Sequence, residues 1–332
     1  MNLKVVNDRT SSVFGKAQLG YAFVDSQRLL DWKRFAVDGM GLGIEDVSSD
    51  TLALRIDDHA RRLIVRKAAS EDVFALGWQV ANPDALEAIL SRLHARKVTF
   101  EEIGGEQAAL RGVERLWRFL GPKRQGFELF LSAVIDPTPP KISGSGFVTG
   151  DSGLGHVAIT TRKPQEMIAF WREIFDAKIS DYIVEKIDGV NLKITFLRIN
   201  PRHHSIAVAA TVGVAMDPFA TKIQHLEMQV KSLDDIGEAY RRCRSLGFKI
   251  AMSVGQHTND KGVSFYAVSP SGFYFELGWN PLLVADDCEW SPQVHQGISI
   301  WGHKPQDQTI GDRLAQMATG ISSLFRTEHT AY

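Results

Sequence analysis

The spacing of hydrophobic residues predicts amphipathic helices that alternate with short strands. The clearest helical face consists of Met167, Phe170, Trp171, Ile174 and Phe175. These residues recur at the intervals that place side chains on one side of a helix. A second helix is predicted from 233 to 243, with Ser232 and Asp235 spaced as a capping box, and a third opens at Asn82 and Pro83. The segments between helices are rich in Val, Ile and Phe with a period of two, which is typical of strands.

The same order of elements occurs in both halves of the chain. Three pairs of segments are alike: 17–44 and 152–179, 76–80 and 226–230, and 126–130 and 273–278. Each copy contains a strand, a helix and further strands, and the unit recurs about four times. We therefore predict an α+β fold built from four βαβββ modules in two similar domains.

A shift in composition divides the chain. Residues 136–150 (DPTPPKISGSGFVTG) are rich in Pro, Gly and Ser and have no apolar period, which indicates a linker. We predict an N-terminal domain at 1–135, a C-terminal domain at 151–303 and a tail at 304–332. The tail contains one apolar helical stretch, 314–324, and is interpreted as partly disordered or as a subunit contact.

Charge and cysteine content exclude several classes of function. The 38 Lys and Arg residues nearly balance the 39 Asp and Glu residues, and the net charge of −1 argues against nucleic acid or an anionic membrane as partner. Cys243 and Cys288 lie outside any CxxC pattern, so neither a disulfide framework nor a zinc–thiolate site is predicted. The N-terminus lacks the apolar core of a signal peptide, and we expect a cytoplasmic protein with no membrane partner.

Polar side chains occupy one face of several predicted strands in the second half. Strict alternation places His225 on the polar face of 225–230, and His156 and Glu276 belong to segments that alternate in the same way. If helices cover the apolar faces, the polar faces line a wet or metal-filled space. Two histidines and one carboxylate on inward strand faces are the pattern of non-haem Fe(II) sites. Such a site leaves coordination positions for a bidentate substrate and O2.

The first half provides an internal control for this interpretation. A lone inward histidine is more often a hydrogen-bonded core residue than a metal ligand. At the matching positions the first half carries Tyr21, Ala75 and Glu128. Two of the three candidate ligands are therefore missing there while the surrounding pattern persists, which predicts a metal in the C-terminal domain only.

Two adjacent histidines lie in the interval between the first two candidate ligands. This interval is longer than its counterpart in the first half, and it contains His203 and His204. Neighbouring residues of an extended segment point to opposite faces, so one ring is expected to face the cavity. An exposed loop pair is an equally good interpretation at this point.

A longer motif resembles that of a known family. The segment 255–276 (GQHTNDKGVSFYAVSPSGFYFE) is similar to the signature of type I extradiol ring-cleavage dioxygenases, and the likeness extends from about 17 to Trp301-Gly-His303. These enzymes belong to the vicinal oxygen chelate superfamily, and the chain is most similar to 2,3-dihydroxybiphenyl 1,2-dioxygenases. The resemblance implies domains shaped as open, barrel-like cups. It also implies O2-dependent ring cleavage of an aromatic diol, bicyclic or larger, in the degradation of aromatic compounds.

The resemblance also implies roles for individual side chains. The implied Fe(II) ligands are His156, His225 and Glu276. His204 matches the active-site acid/base, and His257 and Tyr266 match the groups that hydrogen-bond the bound catecholate. An imidazole is suited to proton transfer because its unperturbed pKa is about 6.5.

The same resemblance extends to the substrate pocket. Asn259 and Asp260 follow the HxND pattern and are expected to support His257 and the substrate, while Phe196 and Ala158 line the pocket. The stretch between His204 and His225 is a few residues longer than in the family, which affects the pocket rim. The family analogy also favours a homo-oligomer.

Two other functions share part of the pattern. Another metalloenzyme of the same fold, such as a glyoxalase or an epimerase, would not need the HxND…Tyr…Glu run. A metal-free protein that sequesters a ligand in the cup should bind no iron, and the complete ligand set disfavours it. Mn(II) accepts a similar ligand set and stays an alternative to Fe(II). His295 and His303 are interpreted as structural residues close enough to approach the site.

Overall fold

The computed structural model describes residues 12–187, 189–285 and 290–332. Cys288 and the first eleven residues of the predicted N-terminal domain lie outside the described residues. Across these ranges, no helix is both long and apolar enough to cross a membrane.

The N-terminal half contains two βαβββ modules that share one eight-stranded sheet. Its strands are β1 (Ala17–Ser26), β2 (Gly43–Ser48), β3 (Thr51–Arg55), β4 (Leu63–Lys67), β5 (Asp72–Val80), β6 (Phe100–Ile103), β7 (Leu116–Leu120) and β8 (Gly126–Phe130). Its helices are α1 (Leu29–Lys33), which continues as a π-helical turn at Arg34–Gly39, α2 (Pro83–Ala95) and α3 (Gly105–Ala109). The modules meet where β1 pairs antiparallel with β5, and each first strand pairs in parallel with the last strand of its module.

The C-terminal half repeats this plan in a ten-stranded sheet. Its strands are β9 (Val157–Thr160), β10 (Lys178–Ile187), β11 (Val190–Arg198), β12 (Ile206–Val212), β13 (His225–Val230), β14 (Ile250–His257), β15 (Val263–Val268), β16 (Tyr274–Trp279), β17 (Gln293–Gln296) and β18 (Ser299–Trp301). Its helices are α4 (Pro164–Phe175), α5 (Leu233–Ser245) and α6 (Ile310–Ser323). Here β9 pairs antiparallel with β13, which confirms the four predicted modules.

The predicted helix starts are confirmed except for one capping box. Asn82 caps α2 by accepting a hydrogen bond from the Ala85 amide at 2.9 Å. At α5, Ser232 accepts from the amide of Asp234, but the Asp235 carboxylate does not return to the cap. It accepts instead from the amide of Ser145, because the segment 136–150 passes beside the helix start. The capping-box prediction was therefore wrong at Asp235.

The main hydrophobic core lies between the two sheets and includes the helices of both halves. Trp171 of α4 packs on Trp78 of β5 with ring centroids 5.0 Å apart, and Trp32 of α1 packs on Phe273 at 5.7 Å. Each half therefore places a helix against the sheet of the other. The opposite face of each sheet is left to form a cup, as the alternation of polar residues predicts.

Two consecutive strands close the cup of the C-terminal half. The strand order begins with β17, which pairs with β10, and ends with β18, which pairs with β14. Because only residues 297 and 298 separate β17 from β18, this short segment joins the two edges of the curved sheet. The amide of Gly297 donates to Val184 on one side, and the amide of Thr258 donates to Ile298 on the other.

Candidate active site

Strand register brings the three predicted metal ligands together. His156 directly precedes β9, and its carbonyl accepts a hydrogen bond from the Glu227 amide of β13 at 2.9 Å. On the other side of β13, Glu227 lies opposite Glu276 of β16, and His225 lies opposite Tyr274. Side chains that lie 120 residues apart in the chain thus reach one point at the base of the cup.

The donor atoms of this cluster are mutually close. The Nε2 atoms of His156 and His225 lie 2.9 Å apart, and they lie 3.3 and 3.1 Å from Glu276 Oε2. All three residues are buried, and Glu276 Oε2 has no hydrogen-bond partner. Ligands held at about 2.1 Å from one cation and at right angles to each other lie about 3.0 Å apart. The donor set therefore has the dimensions of one face of an octahedral site.

The charges at the cluster also favour a cation. Burial acts to raise the pKa of Glu276, but the surrounding His156, His225 and His257 rings lower it well below its usual range. Burial acts against a charged His156, but Glu227 and Glu276 raise the pKa of that ring to about 9. The cluster thus combines an ionised carboxylate with a proton that a metal ion can displace.

A buried ion pair orients one of the ligands. Glu227 Oε2 lies 3.4 Å from His156 Nδ1 and 3.3 Å from Arg202 Nη1, and both charged partners are about as buried as His156. A carboxylate on the far ring nitrogen is the usual partner of a metal-binding histidine. Likewise, the side-chain carbonyl of Gln224 contacts Nδ1 of His225.

The adjacent histidines form a chain that ends in a carboxylate. His203 Nδ1 lies 3.1 Å from His204 Nδ1, and His203 Nε2 lies 2.9 Å from Asp181 Oδ2. The ring of His204 packs at a tilt against the first ligand, with its centroid 4.1 Å from that of His156. The expectation that the two rings point to opposite faces was wrong, because residues 199–205 bend instead of extending as a strand.

This hydrogen-bond chain determines which ring nitrogen of His204 is free to accept a proton. Burial acts to raise the pKa of Asp181, but bonds from His203 and from the Gln293 amide lower it, so the carboxylate only accepts. The Nε2–H of His203 therefore faces Asp181, and its Nδ1 is placed to accept from the Nδ1–H of His204. Burial and the rings of His156 and His203 hold the pKa of His204 well below its usual range. His204 Nε2 is thus an available proton acceptor.

His257 and Tyr266 form the opposite wall of the site. Tyr266 Oη lies 2.9 Å from His257 Nε2, which lies 3.2 Å from Glu276 Oε1. Burial acts against a charged His257, but Glu276 and Asp260 raise the pKa of that ring. Burial and the charge of Glu276 raise the pKa of Tyr266 well above its usual value, so the phenol is a hydrogen-bond donor.

His303 supports this wall from behind. Its ring packs on His257 with centroids 4.2 Å apart and contacts the hydroxyl of Ser264 at 3.1 Å. Burial and then His257 lower the pKa of His303 to about 3, so the ring is neutral. His295 contacts Asp181 at 3.1 Å. His303 therefore contacts residues that line the site, whereas His295 is connected to it through Asp181 and His203.

Asn259 and Asp260 are buried beside the site without a hydrogen bond to His257. Asp260 accepts from the Gly262 amide at 2.9 Å, and its other oxygen lies 3.8 Å from His204 Nδ1. The side-chain nitrogen of Asn259 has no hydrogen-bond partner. The predicted support of His257 is therefore electrostatic in the case of Asp260.

An apolar patch lies next to His204 on the same face of the sheet. It consists of Ala158, Ile183, Phe196 and Ala207, with Ile194 and Ile298 packed against it. The ring of Phe196 lies 4.8 Å from that of His204, and Ala158 pairs with Ala207 across the adjoining strands. Both residues predicted to line the pocket thus belong to this patch.

Sequence reasoning missed several of these partners. Glu227 shares a polar strand face with His225, which was a usable signal, but Arg202, Asp181 and Ser264 belong to no motif. Their roles depend on contacts between segments that are distant in sequence. The Trp-Gly-His pattern near the C-terminus did provide a signal for His303.

The fold and the buried donor set define a class of protein. The model of the Glyoxalase/Bleomycin resistance protein/Dioxygenase superfamily matches residues 153–277, which contain the whole cluster. A second family model, described as dihydroxybiphenyl dioxygenase BphC D1, matches residues 19–67 in the N-terminal half. The cups are therefore those of the vicinal oxygen chelate superfamily.

Similar proteins narrow this class. The chain is 33% identical over 293 residues to 3-methylcatechol 2,3-dioxygenase of Pseudomonas putida, a match that covers 87% of this chain and 98% of the relative. It is 32% identical to biphenyl-2,3-diol 1,2-dioxygenase of Metapseudomonas furukawaii, with coverage of 86% and 93%. The iron-dependent extradiol dioxygenase of Rhodococcus jostii is 30% identical, with coverage of 86% and 96%.

A solved structure agrees with these relatives. The 2,2',3-trihydroxybiphenyl 1,2-dioxygenase of Sphingomonas wittichii superposes with a TM-score of 0.77 at 26% identity, covering 88% of this chain and 100% of that structure. The chain belongs to the type I extradiol dioxygenases.

Proposed function

We propose that this protein cleaves the ring of an aromatic diol beside its hydroxyl groups, using O2 and Fe(II) held by His156, His225 and Glu276. The observation that carries the proposal is the approach of three buried donor atoms to within 3.3 Å of one another. Membership of the extradiol dioxygenases and the iron-dependent relative support it. We further propose that the N-terminal domain, residues 1–135, holds no metal.

The residues present fit an iron ion. Two imidazole nitrogens and one carboxylate oxygen suit Fe(II), and the unpartnered Glu276 Oε2 is a buried acceptor that needs a cation. When bound, iron would supply open coordination positions and the redox chemistry needed for the reaction of the diol with O2.

His257 and Tyr266 bind the diol oxygen that loses its proton first. The raised pKa of His257 favours a protonated ring that donates to a negative oxygen, and Tyr266 donates from its neutral hydroxyl. Hydrogen bonds from such donors are stronger when the acceptor is ionised. These two residues therefore favour binding of the substrate as a monoanion.

His204 accepts the second hydroxyl proton of the diol. Its Nε2 is free because Nδ1 donates to His203, and its lowered pKa keeps the ring neutral before substrate binds. The ring can take the remaining hydroxyl proton and return it to an oxygen atom later in the reaction. Position supports this role, since the ring lies against His156 and Phe196.

The apolar patch supports a bicyclic or larger substrate. Four buried aliphatic and aromatic side chains beside His204 present no polar atom to a ligand. A second ring on the substrate would bury its surface against this patch, at about 25 cal/mol for each Å² removed from water. A diol with only one ring would make fewer contacts with this patch.

The test is an anaerobic preparation followed by exposure to air. We expect one iron per chain, and with 2,3-dihydroxybiphenyl a yellow ring-opened product that consumes one O2 per ring. Catechol and 3-methylcatechol serve as matched monocyclic substrates and should show lower kcat/KM. Iron without cleavage of any of these diols would contradict ring cleavage and favour another metalloenzyme of this fold. A protein that binds a diol but no iron would favour the sequestering function.

A further inference from the structure

Helix α6 turns its hydrophobic side outward. Five large apolar residues form one row along it: Ile310, Leu314, Met317, Ile321 and Leu324. Their exposed fractions range from 42% to 79%, and the adjoining Phe325 is 85% exposed. We call these six residues the α6 seam. Surface helices of globular proteins normally direct such a row toward the core.

The inward side of the same helix is polar or small. Asp312 pairs with Lys249 at 3.1 Å, and Gln316 donates to the hydroxyl of Tyr274 at 3.1 Å. Gly320 and Ser323 are the buried residues of the helix. The body of the protein therefore fixes α6 in position without covering its apolar row.

We propose that the α6 seam pairs with the α6 seam of a second copy of this chain. The row advances by four, three, four and three residues, which is the spacing of the buried positions in paired helices. A two-fold interface uses the same surface of both copies. An apolar row that can pack against its own copy meets this requirement.

The exposed area is sufficient for a stable pair. At roughly 200 Å² for a fully exposed large apolar residue, the six residues of the α6 seam offer about 750 Å² per copy. A standard interface buries about 800 Å² on each partner. The α6 seam alone thus supplies nearly the whole contact.

The charges of the helix favour a second copy over a membrane surface. Arg313 is the single cation between Ile310 and Ser323, whereas helices that lie on membranes carry many Lys and Arg residues. On one side of the row, Gly311, Ala315, Ala318 and Ser322 are uncharged and small, so two copies can approach closely along that side.

The first test measures mass. The combined substitutions Leu314→Glu and Ile321→Glu are expected to halve the mass seen by light scattering, with iron content and circular dichroism unchanged. Leu30→Glu is the matched control, because Leu30 is 80% exposed on α1, far from α6 in sequence, and should leave the mass unaltered. A parent protein that is monomeric at all concentrations overturns the proposal, as does a variant of unchanged mass.

The second test does not depend on a destabilising change. Met317 lies at the centre of the row, so a two-fold axis brings its two copies together. Met317→Cys should form a disulfide-linked dimer on oxidation with diamide, whereas Ser322→Cys, on the flank, should not. Equal crosslinking of both variants, or none at Met317→Cys, would contradict the pairing. Binding of the parent to anionic vesicles, lost in the double glutamate variant, would assign the α6 seam to a membrane instead.

Discussion

The two cups of this protein have the same strands and different contents. In both, a glutamate occupies the same register position on the last strand of a module, Glu276 in one and Glu128 in the other. Glu128 is surrounded by cations: Arg111 contacts it at 2.5 Å and Arg118 at 2.7 Å, and the Tyr21 hydroxyl donates to it at 2.5 Å. The comparison teaches that one buried carboxylate can be neutralised by guanidinium groups or, as we propose, by a metal.

The two cups differ at a pair of facing positions, and not only at a single ligand position. Tyr21 matches His156, and its partner across the sheet is Gly77, which matches Glu227. The Tyr21 ring lies over Gly77, where an added Cβ would come within 2.3 Å of it. A phenol therefore excludes the glutamate that orients His156 in the other cup.

The largest effect should come from neutralising each glutamate in turn. Glu276→Gln should lose iron and reduce turnover by about 10³-fold or more, because a metal ligand is removed. Glu128→Gln should keep full iron but lose about 3–5 kcal/mol of stability, since buried Arg111 loses its counter-charge and Arg118 keeps only the exposed Glu101 as a counter-charge. Metal analysis and urea unfolding measure both. If Glu128→Gln also lost its iron, the two cups would not be independent.

Removal of the proposed acid/base should separate chemistry from metal binding. His204→Ala is expected to retain iron and to lose about 10²–10⁴-fold in kcat, the usual contribution of a positioned proton acceptor. Single-turnover kinetics with a fully loaded variant measure this. Turnover equal to that of the parent would remove His204 from the mechanism.

Removal of His203, which links His204 to the Asp181 carboxylate, should have a smaller effect. His203→Ala is expected to lower kcat by about 10-fold without loss of iron, because His204 then loses the acceptor that fixes its tautomer. Adding this change to His204→Ala should cost little more, since both act through one ring. His203→Asn, whose amide oxygen can accept from His204, should recover part of the activity. Independent, additive losses of kcat would argue against the hydrogen-bond chain that runs from His204 through His203 to Asp181.

The mildest perturbation changes no residue: iron affinity should depend on pH. The pKa of His156 is raised to about 9 in the metal-free protein, so below that pH iron must displace a proton. Affinity should therefore rise about tenfold per pH unit between about pH 7 and about pH 9 and then level off. Anaerobic Fe(II) titrations measure the slope. Glu227→Gln removes one charge that raises the pKa of His156. This variant should therefore show a flatter dependence of iron affinity on pH within the same range.

The sequence was most informative where local pattern and repetition agree. The four modules and the convergence of His156, His225 and Glu276 follow from strand period and from the comparison of halves. The fine hydrogen bonding did not follow, because it depends on the meeting of distant segments. Asp181 on β10 contacts His203 only because the sheet curls, and Asp235 does not complete its predicted cap but accepts from the amide of Ser145.

The segment that joins β17 to β18 has a consequence for the order of assembly. It can dock only when both edges of the curved sheet exist, so we expect it to be among the last parts of the C-terminal half to fold. His257 contacts the carbonyl of Ile298 at 3.3 Å, which ties the wall of the site to this late step. We therefore expect the substrate-binding wall to be completed only after the rest of the domain has formed.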